Sequence, residues 1–91
     1  RIVVDCSHAN SHKKPELQTV VAHDCIEQVV NGNRSIIGLM LESHLHAGNQ
    51  KIPPNLADLK YGVSVTDGCI DWETTEQALR EAAAALRPVI G

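Results

Sequence analysis

The sequence predicts an α/β fold in which short parallel strands alternate with amphipathic helices. Two short and almost wholly apolar runs, at residues 2–6 and 36–41, are typical of strands that are buried on both faces of a parallel sheet. Between these runs, apolar residues recur every four positions from Leu17 to Val29, which indicates a helix with a broad buried face. A strand, a helix and a second strand in this order predict a parallel crossover.

The boundaries of the first helix and of the loop beyond the second strand can be read from local signals. The helix begins near Pro15, because proline fits the first turn of a helix, and the turn at residues 31–33 ends it. Residues 43–60 then form a long polar loop. Loops of this length in compact domains are usually functional or disordered.

The last part of the chain predicts a third strand and a final helix. Residues 62–66 read as the short strand. Thr74 and Gln77 have the spacing of a capping box, which predicts the start of the helix, and Pro88 predicts its end. The stripe that this helix is expected to bury consists of Leu79, Ala82, Ala83 and Leu86.

Length and composition limit both the fold and the function. Residues 1–91 make one small domain with no internal boundary. The chain begins in a strand without Met, and three strands cannot close a barrel that typically needs about eight, so we expect a piece of a longer protein. The net charge of −3 offers no basic surface to nucleic acid. No apolar run reaches the roughly 20 residues that span a bilayer.

The cysteines favour a reducing compartment. Cys6, Cys25 and Cys69 are an odd number and contain no closely spaced pair, which is unlike a disulfide framework. We expect all three to be buried as small apolar residues. The pattern therefore predicts a cytoplasmic protein.

Three side chains that suit a metal ion follow the three predicted strands. His8 comes after the first strand, Glu42 after the second and Asp67 after the third. Because chemistry gathers at the carboxyl ends of parallel strands, we expect these side chains to lie together. An imidazole and two carboxylates suit Mn²⁺, Fe²⁺, Co²⁺ or Zn²⁺ better than Ca²⁺. The residues alone leave two interpretations open, a divalent metal site and three merely polar strand ends.

Other polar residues near these strand ends have a less specific meaning. His44 and His46 would fall on one side of an extended segment and could share a metal, but two ligands alone make a weak site, so we favour ordinary loop histidines. Lys13 and Lys14 either face an anionic substrate or, as we favour, solvate the start of the helix. Two rival functions also stay open, namely a stand-alone metal-binding module and an interaction fragment that assembles through its sheet edges.

Three motifs, in order along the chain, resemble one family. They lie at residues 5–11, at residues 36–50 and at residues 61–72. Together they resemble the class I 3-deoxy-D-arabino-heptulosonate 7-phosphate (DAHP) synthases, of the microbial type regulated by aromatic amino acids. The resemblance covers essentially the whole chain and corresponds to the C-terminal portion of that enzyme.

The resemblance implies both a fold and a reaction. The family has a (β/α)8 TIM barrel, of which this chain would be the C-terminal part, with the last three strands and helices. The family condenses phosphoenolpyruvate with erythrose 4-phosphate to give DAHP and phosphate, the first step of the shikimate pathway. It uses a divalent metal held by a Cys, a His, a Glu and an Asp. By motif, His8, Glu42 and Asp67 match the last three ligands, and His8 and Asp67 would also lie at the reacting substrates.

The chain departs from the family pattern in one respect. The metal-binding Cys of the family and the residues that hold both substrate phosphates lie upstream of the matching region, and none of the three cysteines here matches that ligand. We therefore expect the 91 residues alone to be inactive. For the whole enzyme, the resemblance implies a cytoplasmic homo-oligomer without nucleic-acid or membrane partners.

Overall fold

The computed structural model describes residues 1–90 and has mixed α/β architecture. In these residues the strands are β1 (Ile2–Asp5) and β2 (Ile36–Met40), and the α-helices are α1 (Gln18–Val30) and α2 (Trp72–Ile90). Short 3-10 helices occur at His8–Ser11, Pro15–Leu17 and Leu56–Asp58. The predicted α/β class is confirmed.

The predicted parallel crossover is confirmed. β1 pairs with β2 in parallel, and α1 connects them and packs against α2. The register places Ile2 opposite Ile36, and a shift then brings Val3 opposite Gly38. A Cβ at Gly38 would lie only 3.3 Å from Cγ2 of Val3, so the small residue lets the Val3 side chain lie against the neighbouring strand.

The third predicted strand is wrong for the residues that the structure describes. Residues 62–66 form no strand, and only an isolated bridge joins Ser64 to Asn49. The backbone amides of His46 and Gln50 donate to the carbonyls of Gly62 and Ser64. Beside these bonds, the Gln50 side chain donates to the carbonyls of Lys60 and Val63 and accepts from the Lys60 amide, so a side chain supplies part of the hydrogen bonding that a ladder would supply.

The predicted ends of α2 are also wrong. The helix begins two residues before Thr74, and Oδ1 of Asp71 accepts the Thr74 amide at 2.8 Å, so Asp71 caps the helix in place of the Thr74 capping box. Pro88 lies inside the helix instead of ending it. Because it sits in the last turn, the carbonyl that its missing N–H leaves free belongs to the exposed Ala84 and can bond to water.

The inner face of α2 differs in part from the predicted stripe. Ala82 and Leu86 are half-buried as expected, whereas Leu79 is 53% exposed and Ala83 is also exposed. Thr75 is buried instead, and its hydroxyl donates to the Asp71 carbonyl and lies 2.5 Å from the Ser43 hydroxyl. Thr75 therefore lies on the inner face of the helix, where it contacts the loop after β2.

The core is small, and much apolar surface is open. The buried apolar residues are Cys6, Ala22, Cys25, Cys69 and Ile70. The three cysteines are free and buried, as predicted. Val3 and Ile37 of the sheet are 62% and 61% exposed. The radius of gyration of 15.2 Å exceeds the roughly 12 Å of a compact chain of this length. Within residues 1–90, no helix combines the length and the apolar character that crossing a membrane requires.

Candidate metal centre

His8 lies three residues beyond the end of β1, in a backbone conformation that few residues adopt. Its φ of +48° is in the left-handed region. Two hydrogen bonds hold this turn: the Lys13 amide donates to the His8 carbonyl at 2.7 Å, and Nδ2 of Asn10 donates to the Asp5 carbonyl at 2.7 Å. The turn directs the imidazole across the carboxyl end of the sheet, towards Glu42 and Asp67.

Asp5 and Asp67 contact the two nitrogens of the His8 ring. Nδ1 lies 2.8 Å from Oδ2 of Asp5, the last residue of β1. Nε2 lies 3.0 Å from Oδ2 of Asp67. A carboxylate on one ring nitrogen fixes the orientation of the ring and leaves the other nitrogen as the potential metal ligand.

The three predicted ligands lie together at one site. His8, Glu42 and Asp67 each offer one ligand atom, and these atoms all lie within 4.8 Å of one another. Nε2 of His8 is 3.5 Å from Oε1 of Glu42 and 3.0 Å from Oδ2 of Asp67. Ligand atoms bound about 2.1 Å from one metal lie roughly 3.0–3.4 Å apart, so the two separations from His8 are close to those of a bound ion, and the donor types suit a transition metal.

Glu42 is the least exposed of the three residues. Its side chain is 22% exposed, compared with 45% for His8 and 61% for Asp67. The hydroxyl of the buried Ser7 donates to Oε1 of Glu42 in a short hydrogen bond. The backbone of Glu42 is held by the side chain of Gln18, the first residue of α1.

Asp67 is held through the backbone around it. Nδ2 of Asn49 donates to the Thr66 carbonyl at 2.9 Å, and the Thr66 amide donates to the Ser64 hydroxyl. A Cβ at Gly68 would lie 3.1 Å from Cγ of Pro15, so the glycine lets this loop pack on the start of the 3-10 helix Pro15–Leu17. The carboxylate itself stays exposed towards the site.

The carboxylates around His8 change proton affinities at the site. The hydrogen bond to Asp5, then the hydrogen bond to Asp67 and the charge of Glu42, raise the pKa of His8 above its usual 6.5. The same hydrogen bond to His8 lowers the pKa of Asp5. Burial raises the pKa of Cys6 to about 11, so its thiol stays protonated at neutral pH and is a poor metal ligand.

The remaining sequence candidates lie outside this cluster. Among the described residues, the possible metal-holding group contains neither His44 nor His46. Nδ1 of His44 accepts the Leu45 amide at 2.8 Å, so one of its ring nitrogens is already occupied. Lys13 and Lys14 are exposed, in agreement with solvated side chains at the start of the helix.

Sequence reasoning missed three residues that support the site: Asp5, Ser7 and Gln18. Asp5 precedes His8 by three residues, and a carboxylate at this distance from a candidate histidine ligand was a usable signal. Gln18 is a polar residue beside the apolar stripe of a helix, but it is fully buried in the structure. Nothing in the sequence pairs it with Glu42, which lies 24 positions away.

The fold and the site define an α/β protein with a mixed imidazole and carboxylate centre at its strand ends. Residues 1–80 match the DAHP synthetase I family, so the chain belongs to that family. The resemblance inferred from the three motifs is thereby confirmed.

Relatives with curated names agree with this assignment. The chain is 53% identical over 89 residues to "Phospho-2-dehydro-3-deoxyheptonate aldolase, Tyr-sensitive" of Enterobacter agglomerans, a match that covers 98% of this chain and 42% of that protein. It is 54% identical over 80 residues to the Tyr-sensitive aldolase of Escherichia coli (strain K12), which covers 88% of this chain and 22% of that protein.

A solved structure has the same fold over the whole chain. The phospho-2-dehydro-3-deoxyheptonate aldolase of Francisella tularensis SCHU S4 superposes with a TM-score of 0.89 at 43% identity, covering 100% of this chain and 26% of that one. The chain therefore spans less than half the length of these relatives.

Proposed function

We propose that this chain supplies three of the metal ligands of a DAHP synthase, which condenses phosphoenolpyruvate with erythrose 4-phosphate to give DAHP and phosphate. The observation that carries the proposal is the convergence of His8, Glu42 and Asp67 within 4.8 Å in a chain of the DAHP synthetase I family. The names of the relatives support the same activity.

The donor set favours a transition metal. One nitrogen and two carboxylate oxygens suit Mn²⁺, Fe²⁺, Co²⁺ or Zn²⁺, and the fourth ligand, a cysteine, would come from outside this chain. When bound, such an ion supplies Lewis-acid polarisation of a carbonyl oxygen. Asp5 keeps the His8 ring oriented, and Ser7 keeps the Glu42 carboxylate oriented, so that both ligands are held in place before the ion binds.

We assign catalytic roles beside the metal to His8 and Asp67. Both side chains are open to solvent, at 45% and 61% exposure, so substrate can reach them. Asp67 would orient the sugar phosphate, and His8 would lie beside the phosphate of phosphoenolpyruvate. Positioning of this kind lowers the activation barrier of the condensation because the reacting atoms are held in contact.

We further propose that the chain forms one segment, without internal boundary, of a (β/α)8 barrel, in which it provides the C-terminal part with β1, β2, α1 and α2. The exposed apolar residues of β1 and β2 support this, since parallel sheets are normally covered on both faces. They also weigh against a stand-alone module, which would bury such surface. The 91 residues alone would be inactive, and the whole enzyme would be a cytoplasmic homo-oligomer.

A hybrid enzyme tests the proposal. In this hybrid, the chain replaces the 80-residue segment that it matches in the Escherichia coli aldolase. We expect the hybrid to make DAHP and to bind one divalent ion per site. Replacing His8 with Ala should lower both activity and metal affinity by at least about 100-fold, because a direct ligand is lost. His23, an exposed histidine on α1, provides the matched control His23→Ala. An active hybrid that keeps its metal after His8→Ala would contradict the proposal.

A further inference from the structure

The buried side-chain amide of Gln18 hydrogen-bonds to the backbone of one candidate metal ligand, Glu42. Gln18 is 0% exposed. Its Oε1 accepts the Glu42 amide at 2.7 Å, and its Nε2 donates to the Glu42 carbonyl at 3.1 Å. Both polar atoms of the side chain are thus used on a single residue in a different element.

These two hydrogen bonds act where the sheet has ended. The last backbone bond that joins β1 to the end of β2 runs from the Cys6 amide to the Met40 carbonyl, so Glu42 lies beyond the ladder. Its carbonyl also accepts the Ile70 amide at 3.0 Å, but its own amide has the Gln18 oxygen as its partner. The Gln18 side chain therefore takes the place of a neighbouring strand at this residue.

The two hydrogen bonds from Gln18 also restrict the Glu42 side chain. A carboxylate on a fixed backbone has few rotamers left to choose from, and the hydroxyl of Ser7 holds Oε1 of Glu42 from the other end. Ser7 is itself 5% exposed and follows Cys6, which bonds to Met40. Backbone and carboxylate are thus both held by buried groups before any ion binds.

We propose that Gln18 is a positioning residue that sets the metal affinity of the site by fixing the backbone of Glu42, without touching the ion. The inference rests on the proposed function, because it requires Glu42 to be a ligand. Groups behind a metal ligand influence affinity by orienting that ligand, and their loss typically lowers affinity by about 10–100-fold.

The test uses the hybrid enzyme and a substitution that keeps volume. Gln18→Met removes both hydrogen bonds but fills similar space, and Gln28→Met changes an exposed glutamine of the same helix whose side chain hydrogen-bonds to Asp24 and Asn33. The readouts are Co²⁺ affinity by titration, the visible absorption spectrum of the Co²⁺-loaded protein, and the Tm of the metal-free protein.

We expect Gln18→Met to lower Co²⁺ affinity by about 10–100-fold and to change the Co²⁺ spectrum, and Gln28→Met to change neither. The spectrum reports the geometry of the ligands, which a loss of helix packing alone would leave intact. Gln18→Met with the affinity and spectrum of the unmodified hybrid would overturn the inference.

Two further variants keep the result decisive. If Gln18→Met does not fold, Gln18→Asn keeps the amide on a side chain that is one methylene too short to reach the Glu42 backbone, and we again expect a loss of affinity; no loss would equally overturn the inference. His8→Ala separates the two proposals. If it lowers affinity while the Gln18 variants do not, only the positioning role fails; if it too leaves affinity unchanged, the metal centre itself is contradicted.

Discussion

The imidazole of His8 is held between carboxylates at both of its nitrogens, and with the proposed metal this arrangement would couple proton binding to metal binding. Asp5 lies at Nδ1, while Asp67 and Glu42 lie near Nε2. Because these carboxylates favour the imidazolium, they raise the pKa of His8. In the metal-free protein, the resulting stabilisation is present below the usual pKa of 6.5 and is lost as the pH rises through the raised pKa.

At the residue scale, we predict that metal affinity depends on pH through His8. A proton on Nε2 excludes the ion, so affinity should be full above the raised pKa of His8 and should fall as the pH drops through it. Asp5→Asn removes the charge at Nδ1, so the midpoint should move to lower pH while the affinity at high pH falls by about 10-fold. Metal titrations of the hybrid enzyme at several pH values measure both effects.

Asp24→Asn removes a carboxylate from the exposed side of α1 and serves as the control. It should leave the pH midpoint of metal binding where it is. An unchanged midpoint in Asp5→Asn would show that Asp5 does not act on His8.

The candidate ligands were predictable from sequence, but their supports were not. His8, Glu42 and Asp67 could be picked out because each follows an expected strand and has a side chain that binds metals. Gln18 could not, since its role depends on how closely α1 packs against the end of β2. Packing of this kind is a property of the folded chain and leaves no local pattern in the sequence.

At the element scale, the start of α2 depends on Asp71. Its carboxylate accepts the Thr74 amide. A hydrogen bond from the Thr74 hydroxyl, and then this bond from the Thr74 amide, lower the pKa of Asp71. The cap is therefore present above the usual carboxyl pKa of 3.8 and is lost as the pH falls through the lowered pKa.

We predict that Asp71→Ala lowers the Tm of the hybrid enzyme by roughly 2–4 °C at neutral pH, because the first turn of α2 loses its cap. Thr74→Ala tests the capping box that the sequence suggests and should have a smaller effect, since Thr74 lies within the helix. Thermal unfolding followed by circular dichroism measures both. A larger loss in Thr74→Ala would contradict the observed helix start.

A helix or strand was predictable from sequence where the residues of that element alone carry the pattern that forms it. β1, α1 and β2 carry strong apolar patterns, and their observed bounds lie close to the predicted ones. Residues 62–66 have a strand-like composition, but Gln50 binds the backbone beside them. A contact between segments overrides local propensity there.

At the scale of the whole molecule, the open apolar surface is the main feature. α1 and α2 enclose an apolar groove of about 600 Å³, whose lining includes Ala22, Ile26 and Ala82. The sheet has two strands in the described residues, and both expose apolar side chains. The α/β class was predictable from strand and helix patterns. A closed barrel needs about eight strands, and the described residues form two, so the barrel stays a proposal.

The convergence of His8, Glu42 and Asp67 on one ion is tested most directly by an anomalous difference map from crystals of the hybrid enzyme grown with Mn²⁺. We predict a single strong peak per site, about 2.0–2.3 Å from Nε2 of His8 and from one carboxylate oxygen each of Glu42 and Asp67. A peak bound elsewhere, with these three side chains unligated, would contradict the assignment of this cluster as the metal centre.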